Sequence, residues 1–86
     1  MEEPHRFLNV VDVEATCWSE RPPPGQVSEV IEIGLSVVDT RTRERVARHG
    51  VLVRPTRSSV SAFCTELTTL TQDQVDGGIS WAEACA

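Results

Sequence analysis

Asp12 and Glu14 are the residues of this sequence whose type and spacing could do chemistry. They close the run Phe7-Leu8-Asn9-Val10-Val11-Asp12-Val13-Glu14-Ala15-Thr16, whose apolar, β-branched composition predicts a buried strand. Side chains two apart in a strand share a face, with Cα atoms about 6–7 Å apart at a rise of roughly 3.3 Å per residue. Two oxygen ligands then converge on one spot. Two negative charges side by side at the end of a hydrophobic strand repel each other and lose solvation, so the pair wants a compensating cation. A hard divalent ion, Mg²⁺ or Mn²⁺, suits carboxylate oxygens. The plainer alternative is that an acid at a strand end is only a turn or cap residue of an acidic chain.

What must position this pair is a sheet. The second strand, Val30-Ile31-Glu32-Ile33-Gly34-Leu35-Ser36-Val37-Val38-Asp39, puts Ile31, Ile33, Leu35 and Val37 on one face and Glu32, Gly34 and Ser36 on the other, a period of two rather than 3.6. Glu32 is then a charge in mid-strand, either an auxiliary acid near Asp12 and Glu14 or a solvated residue on an open face. Between the strands lies Cys17-Trp18-Ser19-Glu20-Arg21-Pro22-Pro23-Pro24-Gly25-Gln26. Three prolines and a glycine forbid a ladder there and set an irregular loop directly downstream of the carboxylates. Trp18 offers either a stacking surface for a base or a seal on the edge of the core.

Residues 39–45 form a polar hairpin connection, and a third strand follows through Val46, Val51, Leu52 and Val53 to Arg54-Pro55. Arg41, Arg43 and Arg45 read as a solvated hairpin tip rather than phosphate contacts, because nothing in the sequence ties them to the carboxylates. From residue 56 the pattern turns helical. Residues 61–67 suggest a short turn of helix. Thr71-Gln72-Asp73-Gln74 is a capping box opening a helix that stops at Gly77-Gly78, and Ser80-Trp81-Ala82-Glu83 is a second capping box. Only Ala84, Cys85 and Ala86 follow it. A helix under two turns cannot hold itself from propensity, so the chain is expected to end inside an element of a larger domain, covering its N-terminal part over residues 6–86. Residues 1–5 read as a disordered lead-in.

Eighty-six residues permit one small domain, which buries only about 60% of its surface on folding. A net charge of −5 argues against a broadly basic nucleic-acid surface. It does not exclude a nucleic-acid substrate, because a bound metal ion supplies positive charge where it is needed. All eight basic side chains are Arg. Cys17, Cys64 and Cys85 show no CxxC or metal-ligand spacing and read as reduced thiols. Acids at the N-terminus in place of a basic signal, and no apolar run of membrane length, point to a soluble, cytoplasmic protein without membrane contact.

Four motifs occur together and in order: Val11-Asp12-Val13-Glu14-Ala15-Thr16-Cys17; Glu29-Val30-Ile31-Glu32-Ile33-Gly34; Val53-Arg54-Pro55; and Phe63-Cys64-Thr65-Glu66-Leu67-Thr68-Thr69-Leu70-Thr71-Gln72 with Val75-Asp76. Over residues 6–86 the chain resembles the start of the DEDDh 3′–5′ exonucleases, and within them the Eri-type exoribonuclease branch. The resemblance implies an α/β, ribonuclease H-like fold, of which this chain would hold the N-terminal three-stranded antiparallel meander and the short helices after it. It implies phosphodiester hydrolysis from the 3′ end of RNA or single-stranded DNA, assisted by two Mg²⁺ or Mn²⁺ ions about 4 Å apart.

By the same resemblance Asp12 and Glu14 are the catalytic, metal-binding acids. Ala15 and Thr16 match the turn whose backbone lies against the terminal nucleotide, and Leu67 and Thr68 match the segment that packs on the 3′ base and sugar. Thr69 stands where the family usually has Gly. The family's later Asp, its C-terminal His and the Asp after it find no match, since His5 and His49 fall elsewhere. The 86 residues alone are therefore expected to be inactive, and the alternative function is a non-catalytic module that binds protein or nucleic acid. The first strand would lie inside the family's sheet, so here its bare edge is expected to drive self-association.

Overall fold

Three strands and then three short helices make up the chain in the computed structural model, which describes residues 5–86. They are β1 (Phe7–Ala15), β2 (Val30–Asp39), β3 (Glu44–Leu52), α1 (Ala62–Thr68), α2 (Gln72–Asp76) and α3 (Trp81–Cys85). Of the expected lead-in, residues 1–4 lie outside the described residues, while the carbonyl of His5 accepts a hydrogen bond from Thr40 Oγ1 at 3.2 Å. The strands form one antiparallel meander in the order β1-β2-β3. Among the described residues no helix is long and apolar enough to cross a membrane.

Two irregularities shape the sheet. Glu14 pairs with Glu32 and Ala15 with Val30, so Ile31 is an extra residue on β2. Such a bulge re-aims the side chain it frees, and Ile31 is fully buried while Ile33, Leu35 and Val37 are only half-buried. Ile31 joins Cys64, Leu70 and Val75 in a core that Cys17, Leu52 and Val60 flank. The second shift, between Val37 and Val38, leaves Val46 without a β2 partner.

The core sits at one end of the sheet, and this overturns the expectation that β1 is buried. Phe7, Leu8, Val10, Val11 and Val13 are 48–61% exposed. A run of apolar residues without alternation suits a strand covered on both faces. Here the helices gather at the Ala15, Ile31 and Val53 end, and among the described residues neither face of the outer part of β1 receives a second layer. The radius of gyration, 16.0 Å with extents of 56 × 26 × 19 Å, exceeds the roughly 12 Å of a compact chain this long.

The capping signals position the helices as the sequence predicts. Ser61 Oγ accepts from Cys64 N and donates to the carbonyl of Cys17, so the cap of α1 also holds the turn after β1. Both capping boxes form, Thr71 with Gln74 and Ser80 with Glu83. A parallel bridge between Val53 and Ile79 draws α3 to the sheet, with Ile79 N donating to Leu52 O at 3.0 Å and Arg54 N to Ile79 O at 2.8 Å.

Helix α1 ends on Thr69 at φ 68°, a left-handed conformation that costs a β-branched residue about 1–2 kcal/mol. Its hydroxyl has no partner among the described residues. Thr69→Gly removes the strain and gives back part of it through a freer unfolded chain. It is expected to stabilise the fold by about 0.5–1 kcal/mol, seen as a higher urea midpoint at unchanged slope. An unchanged or lower midpoint contradicts this.

Three carboxylates tie the joints of the fold. Asp39, 4% exposed, receives Arg6 Nε at 3.2 Å and Nη2 at 2.9 Å, and the Arg41 N–H at 2.9 Å; the Arg6 guanidinium foremost holds its carboxyl below the ordinary range. Burial pushes Glu29 upward, but hydrogen bonds from the Ser58 hydroxyl and the Thr56 and Arg57 N–H groups outweigh it and leave the group lowered. The backbone N–H of Ser80 lowers Glu83. A depressed folded pKa favours the ionised form, so the stability these groups give is full above the ordinary carboxylate range, about pH 4–4.5, and disappears as pH falls through the lowered values. The urea midpoint is expected to fall steeply below about pH 4.5, and less steeply in Asp39→Asn. Parallel profiles for the two proteins would rule this out.

Candidate functional site

The register of β1 places Asp12 opposite Gly34 and Glu14 opposite Glu32, so both acids share one face, as the spacing of two predicts. Together with Glu32, Gly34, Arg48 and Gly50 they line an open groove of about 500 Å³. Glu14 and Glu32 are like charges directly across a ladder, an arrangement that costs stability. Of the two readings of Glu32, the register supports the one that puts it beside the pair. Neither Asp12 nor Glu14 makes a side-chain hydrogen bond or ion pair among the described residues. Unpartnered hard oxygen donors on a shared face fit a divalent cation in type. They fit it incompletely in number: no group of three or more His, Cys, Asp or Glu able to hold an ion occurs among the described residues.

Sequence reasoning missed the basic side of this groove. Arg45 was expected at a solvated tip with no spatial tie to the carboxylates, and His49 in the hairpin. Both lie in β3, Arg45 opposite Val38 and His49 opposite Leu35. Arg45 lines the groove with the acids, as does Arg48, which sits opposite Ser36. Arg41 and Arg43 do stay in the turn. The signal that would have found Arg48 is the two-residue step back from Leu52 through Gly50 along β3, which follows Glu32, Gly34 and Ser36 across the sheet.

Beyond the acids the chain knots itself. Thr16 is fully buried, and its polar groups are all engaged. Its N–H donates to Glu29 O at 2.8 Å, its carbonyl accepts from Ser28 Oγ at 2.6 Å, and its hydroxyl accepts from Glu29 N at 2.8 Å and pairs with Ser58 Oγ at 2.9 Å. Ala15 receives the Cys64 thiol on its carbonyl at 3.6 Å, so α1 is tied to the same turn. At the end of α1, Leu67 is 66% exposed, whereas Thr68 donates to Cys64 O and accepts from Leu70 N. Trp18 is half-buried. Cys17, Cys64 and Cys85 are free thiols; burial first, then the neighbouring Cys64 and the charge of Glu14, raise Cys17 and keep it protonated.

Residues 10–85 match the family model described as Exonuclease, of the RNase T type. The chain is 37% identical over 79 residues to the 3′-5′ exonuclease Snipper of Drosophila melanogaster, covering 90% of this chain and 28% of the relative. It is 41% identical over 71 residues to the human 3′-5′ exoribonuclease 1, covering 81% of this chain and 20% of the relative. Among solved structures, the nuclease domain of 3′hExo, a DEDDh family member bound to rAMP, superimposes with a TM-score of 0.84 at 32% identity over 99% of this chain and 42% of that one. The chain thus spans less than a third of the length of these curated relatives.

Proposed function

Because the chain belongs to the exonuclease family that its residues 10–85 match, we propose that it is the carboxylate-bearing part of a metal-dependent enzyme that hydrolyses RNA, or failing that single-stranded DNA, from the 3′ end. Its relatives are 3′–5′ exonucleases, and its structural neighbours are DEDDh exonucleases with a ribonuclease H-like fold. The observation that carries the proposal is the pair Asp12 and Glu14, on one face near the end of β1, open to the groove and without a hydrogen bond or ion pair among the described residues. Exonucleases of this family use divalent metal ions. On this reading Asp12 and Glu14 hold Mg²⁺ or Mn²⁺, two ions in the complete domain, and a bound ion supplies positive charge and acidifies water.

The chain's own contribution is to aim the acids and to seat the terminal nucleotide. The turn at Ala15 and Thr16, fixed from behind by Glu29 and Ser58, and the segment Leu67–Thr68 supply that seat. RNA is favoured because the human relative is named an exoribonuclease and the structural neighbour was solved with rAMP. No residue among these 86 matches the family's later Asp, His and Asp, so the chain alone is proposed to bind metal weakly and to leave a 5′-labelled oligoribonucleotide uncut. The same residues within a complete domain shorten it one nucleotide at a time with Mg²⁺. Cutting by the 86 residues alone refutes the first statement, and an inert complete domain the second.

A second reading, a non-catalytic module acting through its open sheet edge, is favoured by β1. This strand has an outer edge with no partner among the described residues and exposes apolar side chains along its length, a template for another strand. The 9.5-kDa chain is expected to scatter light as a dimer or larger at micromolar concentration. A sharp monomer peak counts against that.

A further inference from the structure

A second cleft, of about 410 Å³, opens between residues 27–30, residues 53–57 and Trp81. Of its lining residues the proposed chemistry uses Glu29 alone, as a support behind the turn at Ala15 and Thr16. Its volume suits one nucleotide-sized ligand. Two guanidiniums line it, Arg54 and Arg57, in a chain whose net charge is −5. Its third feature is an indole, and not the one the sequence singled out: Trp18 is half-buried, whereas Trp81 stands 54% exposed on the first turn of α3.

The acid lining this cleft is already engaged: Glu29 accepts from Thr56 N, Arg57 N and Ser58 Oγ. Those bonds to Glu29 also fix the backbone that carries Arg57, so its guanidinium is presented from an ordered loop. Arg54 spends one N–H on Gly78 O at 3.3 Å. The cleft starts one rung beyond the acid pair. Val30 lies opposite Ala15, and Ser28 and Glu29 are the residues bonded to Thr16.

We propose that this cleft binds a segment of single-stranded nucleic acid, with a base stacked on Trp81 and backbone phosphates at Arg54 and Arg57. A flat aromatic face beside guanidinium cations is the combination that tracks single strands without reading their sequence. An acidic peptide would satisfy the guanidiniums and leave the indole without a planar partner. The choice of ligand rests on the exonuclease reading; the cleft itself does not, since it shares no residue with the acid pair.

The test is titration of the 86-residue chain carrying Trp18→Phe, so that Trp81 reports, with a twelve-nucleotide oligouridylate in EDTA and low salt. Saturable quenching is expected, with Kd in the range of about 10⁻⁴–10⁻⁶ M. Arg57→Ala should weaken binding and lower the slope of log K against log salt by about 0.7. Trp81→Leu, followed by anisotropy of the labelled oligonucleotide, should weaken it about tenfold. Circular dichroism checks that each variant is folded. Absence of quenching, an unchanged Arg57→Ala, or equal quenching by oligoglutamate overturns the proposal. The titration in EDTA involves neither a bound ion nor hydrolysis, so an error in assigning the acid pair would show in catalysis and not here.

Discussion

In a complete domain containing these residues, Asp12→Asn is expected to lower 3′-end hydrolysis by more than about 100-fold and to leave stability equal or improved. Loss of an outer-sphere partner of a metal ligand already costs about 10–100-fold, so loss of a ligand's charge should exceed that range. The stability side follows from the register. Asp12 is exposed, lies opposite a glycine and has no hydrogen bond to lose among the described residues. Its carboxylate shares a face with Glu14 and Glu32, and removing one of several like charges relieves repulsion. A structural residue behaves the other way, losing stability and activity together. Rates measured with a 5′-labelled oligoribonucleotide, beside urea midpoints for both proteins, separate the two. Hydrolysis within a few-fold of the parent, or a clear drop in midpoint, removes Asp12 from the site.

How much of this was legible in the residues varies with the distance over which a signal acts. The alternation in β2, the proline loop and both capping boxes act within a few positions, and the strands, the loop and the helix starts stand where those signals put them. The pairing of Asp12 with Glu14 was legible because a strand's period of two fixes it locally. Arg45 was not, because its place beside the acids depends on the register of β3, which the bulge between Val37 and Val38 shifts. Burial of β1 was misjudged for a related reason. An apolar run states what a strand can be packed against, and whether a layer arrives depends on where distant elements go; here the helices settle at the Val53 end. The exposure of Trp81 rather than Trp18 has the same origin, in the bridge that swings α3 onto Val53 and leaves the indole on the rim of a cleft.

That bridge depends on Gly78, and Gly78→Ala is expected to cost about 2–4 kcal/mol. A Cβ there would lie 2.6 Å from Leu52 O, 2.7 Å from Leu52 C and 2.9 Å from Val53 N. All three are backbone atoms that cannot swing aside as a side chain can. Its φ is not in the left-handed region, so the residue is glycine for space and not for conformation. To admit a methyl group the segments must part, which weakens the hydrogen bonds Ile79 N to Leu52 O and Arg54 N to Ile79 O and loosens fully buried Val53. A small domain sits near the lower end of the usual 5–15 kcal/mol of stability, so a loss of this size leaves much of the chain unfolded in mild denaturant. Gly77→Ala is the control, because a Cβ there meets only Gln74 O at 3.5 Å and should shift stability by less than about 0.5 kcal/mol. Urea titration of both variants decides the matter. Equal midpoints would mean that Gly78 serves only to end α2, as the sequence alone suggests, and that the bridge between Val53 and Ile79 is not the joint holding the helical end to the sheet.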